Sequence, residues 1–592
     1  MYRNTLLAFI IILTAGCIYT SKDTEAPIYS IEKSIEHTNH LADLYTVKYF
    51  EQFPEIATYH AIYNAQHDKL TDNTLESIKK WHNFEDSLLH ELIKIDNKQL
   101  IGKQEWVTYG FLKEILEASI QLRVCRTELW QVNHLTSWFT QYIQLAQSQP
   151  IGNDTLREKA LNRWSQLPRF LEIEKENLKE GIKLGYTAPR NIVLLMVEQI
   201  DELLALPINE SPFFSPAQRD TNQTFQNEWK TLVADSLIPA IKNYNRFLKG
   251  EYLDKARTTI SVSALPGGSK CYEAFFRFQT STSQQADDIF EIASFYVKLN
   301  EAKIQIIGEK LFYTSDFPTL KEYIRNKPMK SFNSKEELLA FINQTVLKAK
   351  MKVPDYFNIL PKSELIIKQV PEHNEKYGTA YYQPPSGNSK QPAVFYVNVH
   401  QLIKGLKGQI ESTVFHETYP GHHMQLAVAS ELPEAHIITK LFLNNGFNEG
   451  WANYATILAE EIGLFSSDLA RLYFINKQSK MMVLDAGIHA KGWPREYAID
   501  YLMENTSMSK ELVSTYVDRV IAWPGQFSTY DAGTVEILEL RERAKIILGD
   551  HFDIREFHDQ VIGSGSITLG MLRQKIDRWI ALKKEAEAEE TY

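Results

Sequence analysis

The sequence predicts a mainly α-helical protein with a small β-sheet, on three observations. Apolar residues recur at helical spacing through most of the 592 residues. One convincing strand, "PAVFYVN" at 392–398, is rich in Val, Phe and Tyr and follows a Pro/Gly/Ser loop. Shortly after it comes "HETYPGHH" at 416–423, three histidines and a glutamate packed around a Pro-Gly pair.

Taken in order, "MYRNTLLAFIIILTAGC" carries Arg3, an apolar run from Leu6 to Leu13, and small residues up to Cys17. The run is too short to span a bilayer as a helix, so residues 1–17 read as a signal peptide. Its end resembles a bacterial lipobox, with Thr14 in place of the usual leucine, and makes Cys17 the expected lipidation site. Residues 18–30 follow as a polar tether. The expected location is the bacterial cell envelope, lipid-anchored to the outer membrane or facing the periplasm.

"DNTLESIKKWHNFEDSLLHELIKID" sets Leu75, Ile78, Trp81, Leu88, Leu89 and Leu92 on one helical stripe, behind cap candidates Thr71 and Asp72. "TSQQADDIFEIASFYVKLNEAKIQIIGEKL" and "SKEELLAFINQTVLKAKM" repeat that periodicity. Loops fall at "NESPFFSPAQRD", "LPGGSK" and "PPSGNSKQP". A soft boundary at "LPGGSK" divides a helical N-terminal region, 31–265, from a C-terminal region, 266–592, that holds the chemistry.

At 44% hydrophobic the chain can bury a large core, and its net charge of -10 is spread along the sequence. Nucleic-acid binding would want a clustered basic face, which is absent. Cys125 and Cys271 could pair in an oxidising compartment or remain two buried thiols. With no Cys-x-x-Cys pair, neither a thiolate zinc site nor a redox centre is expected.

Zinc catalysis wants three protein ligands and one open position. In an unbroken helix His423 returns to nearly the face of His416, whereas His422 points away. Pro420 lacks an N–H and crowds the preceding turn, so a break is expected there. Deleting the Pro-Gly pair leaves His-Glu-Thr-Tyr-His, which favours His422. His416 is therefore one ligand, and either His422 or His423 the second. Glu417 is the natural general base. Glu449, opening the run "EGWANYATILAEE", supplies a carboxylate third ligand. By contrast, His90-Glu91 lies within an amphipathic helix without a second histidine and reads as surface.

These motifs resemble the bacterial domain-of-unknown-function family 885, whose hallmark is His-Glu-x-x-Pro-Gly-His-His followed by Glu-Gly-Trp-Ala. "FPEIATYHAIYNAQHDKLTD", "GTAYYQPPSGNSKQPAVFYVN", "LDAGIHAKGWPREYAIDYL", "WPGQFSTYDAG" and "LGDHFDIREFHDQVIGSGSITL" fit its other segments in order. The family is similar to gluzincin metallopeptidases. The resemblance implies a two-lobed helical fold with a deep cleft, Zn2+ held by His416, His422 or His423, and Glu449, and Glu417 as base. It also implies His489 and Tyr530 as cleft residues, where an imidazole or phenol can donate to an oxyanion. An extended peptide would run along the edge of "AVFYVN", with Tyr381, Tyr382, Tyr396 and Asn398 as substrate contacts. Asp531, Ala532, Phe290 and Thr456 depart from the family's commoner residues, and none is a proposed ligand or the base.

The function expected is a zinc metallopeptidase acting on short peptides. The alternatives are a hydrolase of cell-wall peptides and a non-catalytic envelope lipoprotein in which Pro420 has spoiled the ligand geometry.

Overall fold

The computed structural model describes residues 30–62, 65–326, 332–370, 380–385, 392–403, 405–433, 435–442, 444–506 and 508–590. Residues 1–29, with the expected leader and Cys17, lie outside the described residues.

The protein is mainly helical with one small sheet. The three amphipathic stretches read from the sequence are the helices Leu75–Leu92, Ala286–Phe312 and Lys335–Lys352. The first is capped by Thr74, whose hydroxyl accepts the Ser77 N–H; Thr71 instead bonds the Glu55 carboxylate. The cap thus sits immediately before the first apolar position of the stripe, as helix termini require.

Strands β1 (Leu365–Gln369), β2 (Tyr381–Gln383) and β3 (Ala393–Val397) form a sheet of order β1-β3-β2. β1 runs parallel to β3 and β2 antiparallel, with Tyr381 opposite Tyr396. The strand at 392–398 is therefore central, and the expectation that it offers a free edge is corrected. Its uniformly apolar run is what a strand buried between two neighbours requires. Phe395 and Val397 pack with Ile410 and Val414, which fastens the sheet to the helix carrying His416.

Two large cores organise the rest. One joins residues 41–116 to residues 304–580, drawing on both sides of position 266. The second is built from Leu70 and residues 132–256. Cys125 and Cys271 form a disulfide within a third apolar cluster. Among the described residues, no helix is long and apolar enough to cross a membrane.

Candidate metal centre

His416 lies on the last turn of the helix Lys407–Glu417, and His422 opens the next helix, His422–Glu431. Between them the chain leaves helical geometry at Thr418 and passes through a cis Tyr419–Pro420 bond. It then doubles back so closely that a Cβ on Gly421 would lie 1.9 Å from the His416 carbonyl oxygen. Only glycine fits there. The indole N–H of Trp451 donates to the Gly421 carbonyl at 3.2 Å, tying this turn to the helix Asn445–Glu461 that bears Glu449.

The break turns His422 toward His416. Their rings lie 4.8 Å apart and nearly perpendicular. Nε2 of His416 is 3.3 Å, and Nε2 of His422 3.7 Å, from Oε2 of Glu449. The candidate ligand atoms of the three residues all fall within 4.8 Å of one another. Tetrahedral zinc at about 2.0–2.2 Å from each donor would set donors roughly 3.3–3.6 Å apart, so the set could hold such an ion with little movement. Among the described residues the buried His422 Nδ1 has no hydrogen-bond partner, and Nε2 is the nitrogen that faces Glu449. Burial by itself would raise the Glu449 carboxyl, but hydrogen bonds from His416 and His422 reverse this and hold it well below the usual carboxylate range.

Glu417 is half-buried, and burial raises its carboxyl; the charges of His416 and His422 oppose that rise, as does the Tyr382 backbone N–H donating to it. The Tyr530 ring centre lies 6.5 Å from that of His416, the two planes inclined by 28°. Burial, reinforced by the nearby Glu449, pushes its phenol far above the ordinary value, so its proton stays on.

The other expected residues divide. His423 is fully buried and spans two phenols, Nδ1 at 3.1 Å from the Tyr382 hydroxyl and Nε2 at 3.0 Å from that of Tyr419. Both nitrogens are thus engaged away from His416, and burial lowers its pKa to about 4. Of the two candidates for second ligand, His422 is the one brought to the cluster. His489, expected in a cleft, is fully buried instead: Nε2 donates to the Val520 carbonyl and Nδ1 accepts the Val262 N–H. Asn398 is also fully buried, its carbonyl receiving the Leu402 N–H, so substrate cannot meet it there. Tyr381 stacks on Tyr396 across the strands at 4.8 Å and is 43% exposed, while Tyr382 reaches the site through β2.

Residues that sequence reasoning passed over hold the site together. Buried Asp485 accepts the Gly525 N–H and the Ser528 and Tyr272 hydroxyls, anchoring the corner before Tyr530. An aspartate inside the apolar run "MMVLDAGI" was the available signal, because a buried carboxylate needs partners. Gly450 and Gly533 let the helices Asn445–Glu461 and Ser528–Leu548 meet backbone to backbone, and Gly446 lets the first of them approach the Thr280 backbone.

Comparison with known proteins agrees with this architecture. The chain belongs to the family described as bacterial protein of unknown function (DUF885), which matches residues 54–576. A presumed lipoprotein from Colwellia psychrerythraea shares the fold at TM-score 0.78 and 21% identity, covering 93% of this chain and 99% of its own. A presumed lipoprotein of unknown function from Shewanella oneidensis does so at TM-score 0.76 and 19% identity, covering 91% and 99%. No curated protein matches the chain.

Proposed function

We propose that this protein is a zinc-dependent peptidase of the bacterial cell envelope that hydrolyses short peptides. The convergence of His416 Nε2, His422 Nε2 and Glu449 Oε2 beside Glu417 carries the reading. Zinc held by those three side chains would supply Lewis acidity to the scissile carbonyl and the attacking water. Glu417, its carboxyl raised by burial, is suited to take the water's proton and return it to the leaving amine. Tyr530, protonated beside His416, is placed to donate to the oxygen that becomes negative as the carbonyl is attacked.

With β3 central, β2 is the strand nearest the centre, and an extended peptide would add along its outer side. Its support is Tyr382, whose hydroxyl meets His423 and whose N–H meets Glu417. Two lobes around a deep cleft, as in gluzincins, complete the reading. The leader ending at Cys17, the likeness to presumed lipoproteins and the Cys125–Cys271 disulfide all favour an envelope location. Pro420, the motive for a non-catalytic alternative, does not hold the two imidazoles apart.

The test is Glu417→Gln. It is expected to retain zinc, measured by elemental analysis, and to lose at least about 10³-fold in kcat on short peptides. Undiminished hydrolysis in that variant would remove Glu417 from the mechanism.

A further inference from the structure

Several arginines with buried or half-buried side chains pair with carboxylates, Arg277 with Glu114 and Glu117, Arg495 with Asp518 and Arg541 with Glu461, and half-buried Arg257 donates to the Thr187 and Ile260 carbonyls. Arg519 differs. It lies near the end of the helix Lys510–Ala522, half-buried, and among the described residues its guanidinium has neither a carboxylate partner nor a hydrogen bond. It rests on aromatic faces, 4.7 Å from the Phe527 ring centre and 5.9 Å from that of Trp523. A guanidinium is always charged and offers five donors in a planar fork that matches a carboxylate.

Its place relative to the metal centre gives those donors a purpose. Phe527 comes one turn before Tyr530, whose ring lies against His416. The corner between Arg519 and Tyr530 is rigid: Asp485 holds Gly525 and Ser528, and the Val520 carbonyl takes the His489 N–H. A cation thus sits at a set position on Phe527, one helical turn before the phenol that adjoins the candidate catalytic groups, and among the described residues its donors are uncommitted.

We infer that Arg519 receives the free α-carboxylate of a peptide substrate, which makes the site an exopeptidase acting at C-termini. This rests on the peptidase reading. Water adds across an amide bond near the C-terminus. The N-terminal piece leaves with a new carboxylate, and the C-terminal piece leaves with a new amine and the carboxylate that Arg519 held. Short peptides with free C-termini are the substrate class, and amidated or internal sites are disfavoured.

The experiment uses two pools of short peptides identical in sequence, one with free C-terminal carboxylates and one C-terminally amidated. The zinc-loaded parent should hydrolyse the free-acid pool about 10- to 100-fold faster in kcat/KM, the range expected for a charge-assisted bidentate contact. Arg519→Gln should abolish the preference, bringing the free-acid kcat/KM down to the level of the amide, while Arg519→Lys keeps part of it. Calorimetric binding of both pools to the Glu417→Gln protein, with and without Arg519→Gln, reads the same preference without turnover. Equal treatment of the two pools by the parent, or equal slowing of both by Arg519→Gln, overturns the role of Arg519 and leaves peptidase activity standing. Preferential binding without hydrolysis keeps Arg519 as the carboxylate receptor and removes the peptidase reading. Neither binding nor hydrolysis of either pool overturns both.

Discussion

Tyr530 sets a phenol against the face of His416, and its surroundings keep the proton on the oxygen through the neutral range. A group so placed contributes to charge that develops only as the carbonyl is attacked. Tyr530→Phe should therefore lose about 10²- to 10³-fold in kcat with KM and zinc content nearly unchanged, as removal of an oxyanion donor does elsewhere. Steady-state kinetics with metal analysis checks this; an effect confined to KM would contradict it. At this scale the sequence is most legible where residues carry chemistry: His416, Glu417 and Glu449 stand out by type and spacing, and His416 and Glu449 meet. The choice between His422 and His423 was not legible, because it depends on the backbone path through Thr418 to Gly421. His489 shows the opposite failure. Imidazole fits a hydrogen-bonded core position as well as a reactive one, and only its partners, Val520 and Val262, decide.

Among the elements, the contact between the helices Asn445–Glu461 and Ser528–Leu548 determines how far Tyr530 stands from Glu449. It is made by glycines: a Cβ on Gly450 would lie 2.4 Å from Gly533 Cα, and one on Gly533 1.8 Å from the Gly446 carbonyl oxygen. Backbone cannot yield as a flexible side chain can. Gly450→Ala should cost about 1–3 kcal/mol of stability and reduce zinc affinity and activity together, since the helix it displaces carries Glu449. Gly570→Ala, whose Cβ would meet nothing within 4 Å on an exposed helical position, should be neutral or slightly stabilising. Thermal melting of the two variants makes the comparison; equal midpoints would show the helix contact to be slack. Helices were legible from their stripes because burial of one face imposes the period. Strand order was not, for a run of apolar residues marks burial on both faces without saying which neighbours supply it. β2 is too short to announce itself, and β1, as long as β3, ends on the polar Lys368 and Gln369 and lacks its uniformly apolar run.

For the molecule as a whole, the larger core joins residues 41–116 to residues 304–580, a pairing that nothing local in the sequence encodes, whereas the second core is drawn almost wholly from residues 132–256. Buried histidines make the assembly acid-sensitive. His558 is fully buried, donating from Nδ1 to the Tyr356 carbonyl and accepting the Tyr454 hydroxyl, and burial lowers its pKa to about 3. Its folded pKa lies below the unfolded value, so its stabilisation is complete above about pH 6.5 and is lost as pH falls toward 3. Buried Asp485 and Asp531, both raised to about 6 by burial, act in the opposite sense between roughly pH 4 and 6. Comparing the parent with His558→Gln isolates the histidine. The stability gap between them should shrink by about 2 kcal/mol from pH 7.5 to pH 5, read by chemical denaturation. A gap independent of pH would mean that His558 titrates alike in the folded and unfolded chain. The central claim is that His416, His422 and Glu449 together hold one metal ion, and zinc stoichiometry tests it most directly. The purified protein should bind about one zinc per chain; His416→Ala, His422→Ala and Glu449→Ala should each abolish it, and His423→Ala should retain it. A parent that takes up no zinc, or a His422→Ala variant that holds it as tightly as the parent, would contradict the account.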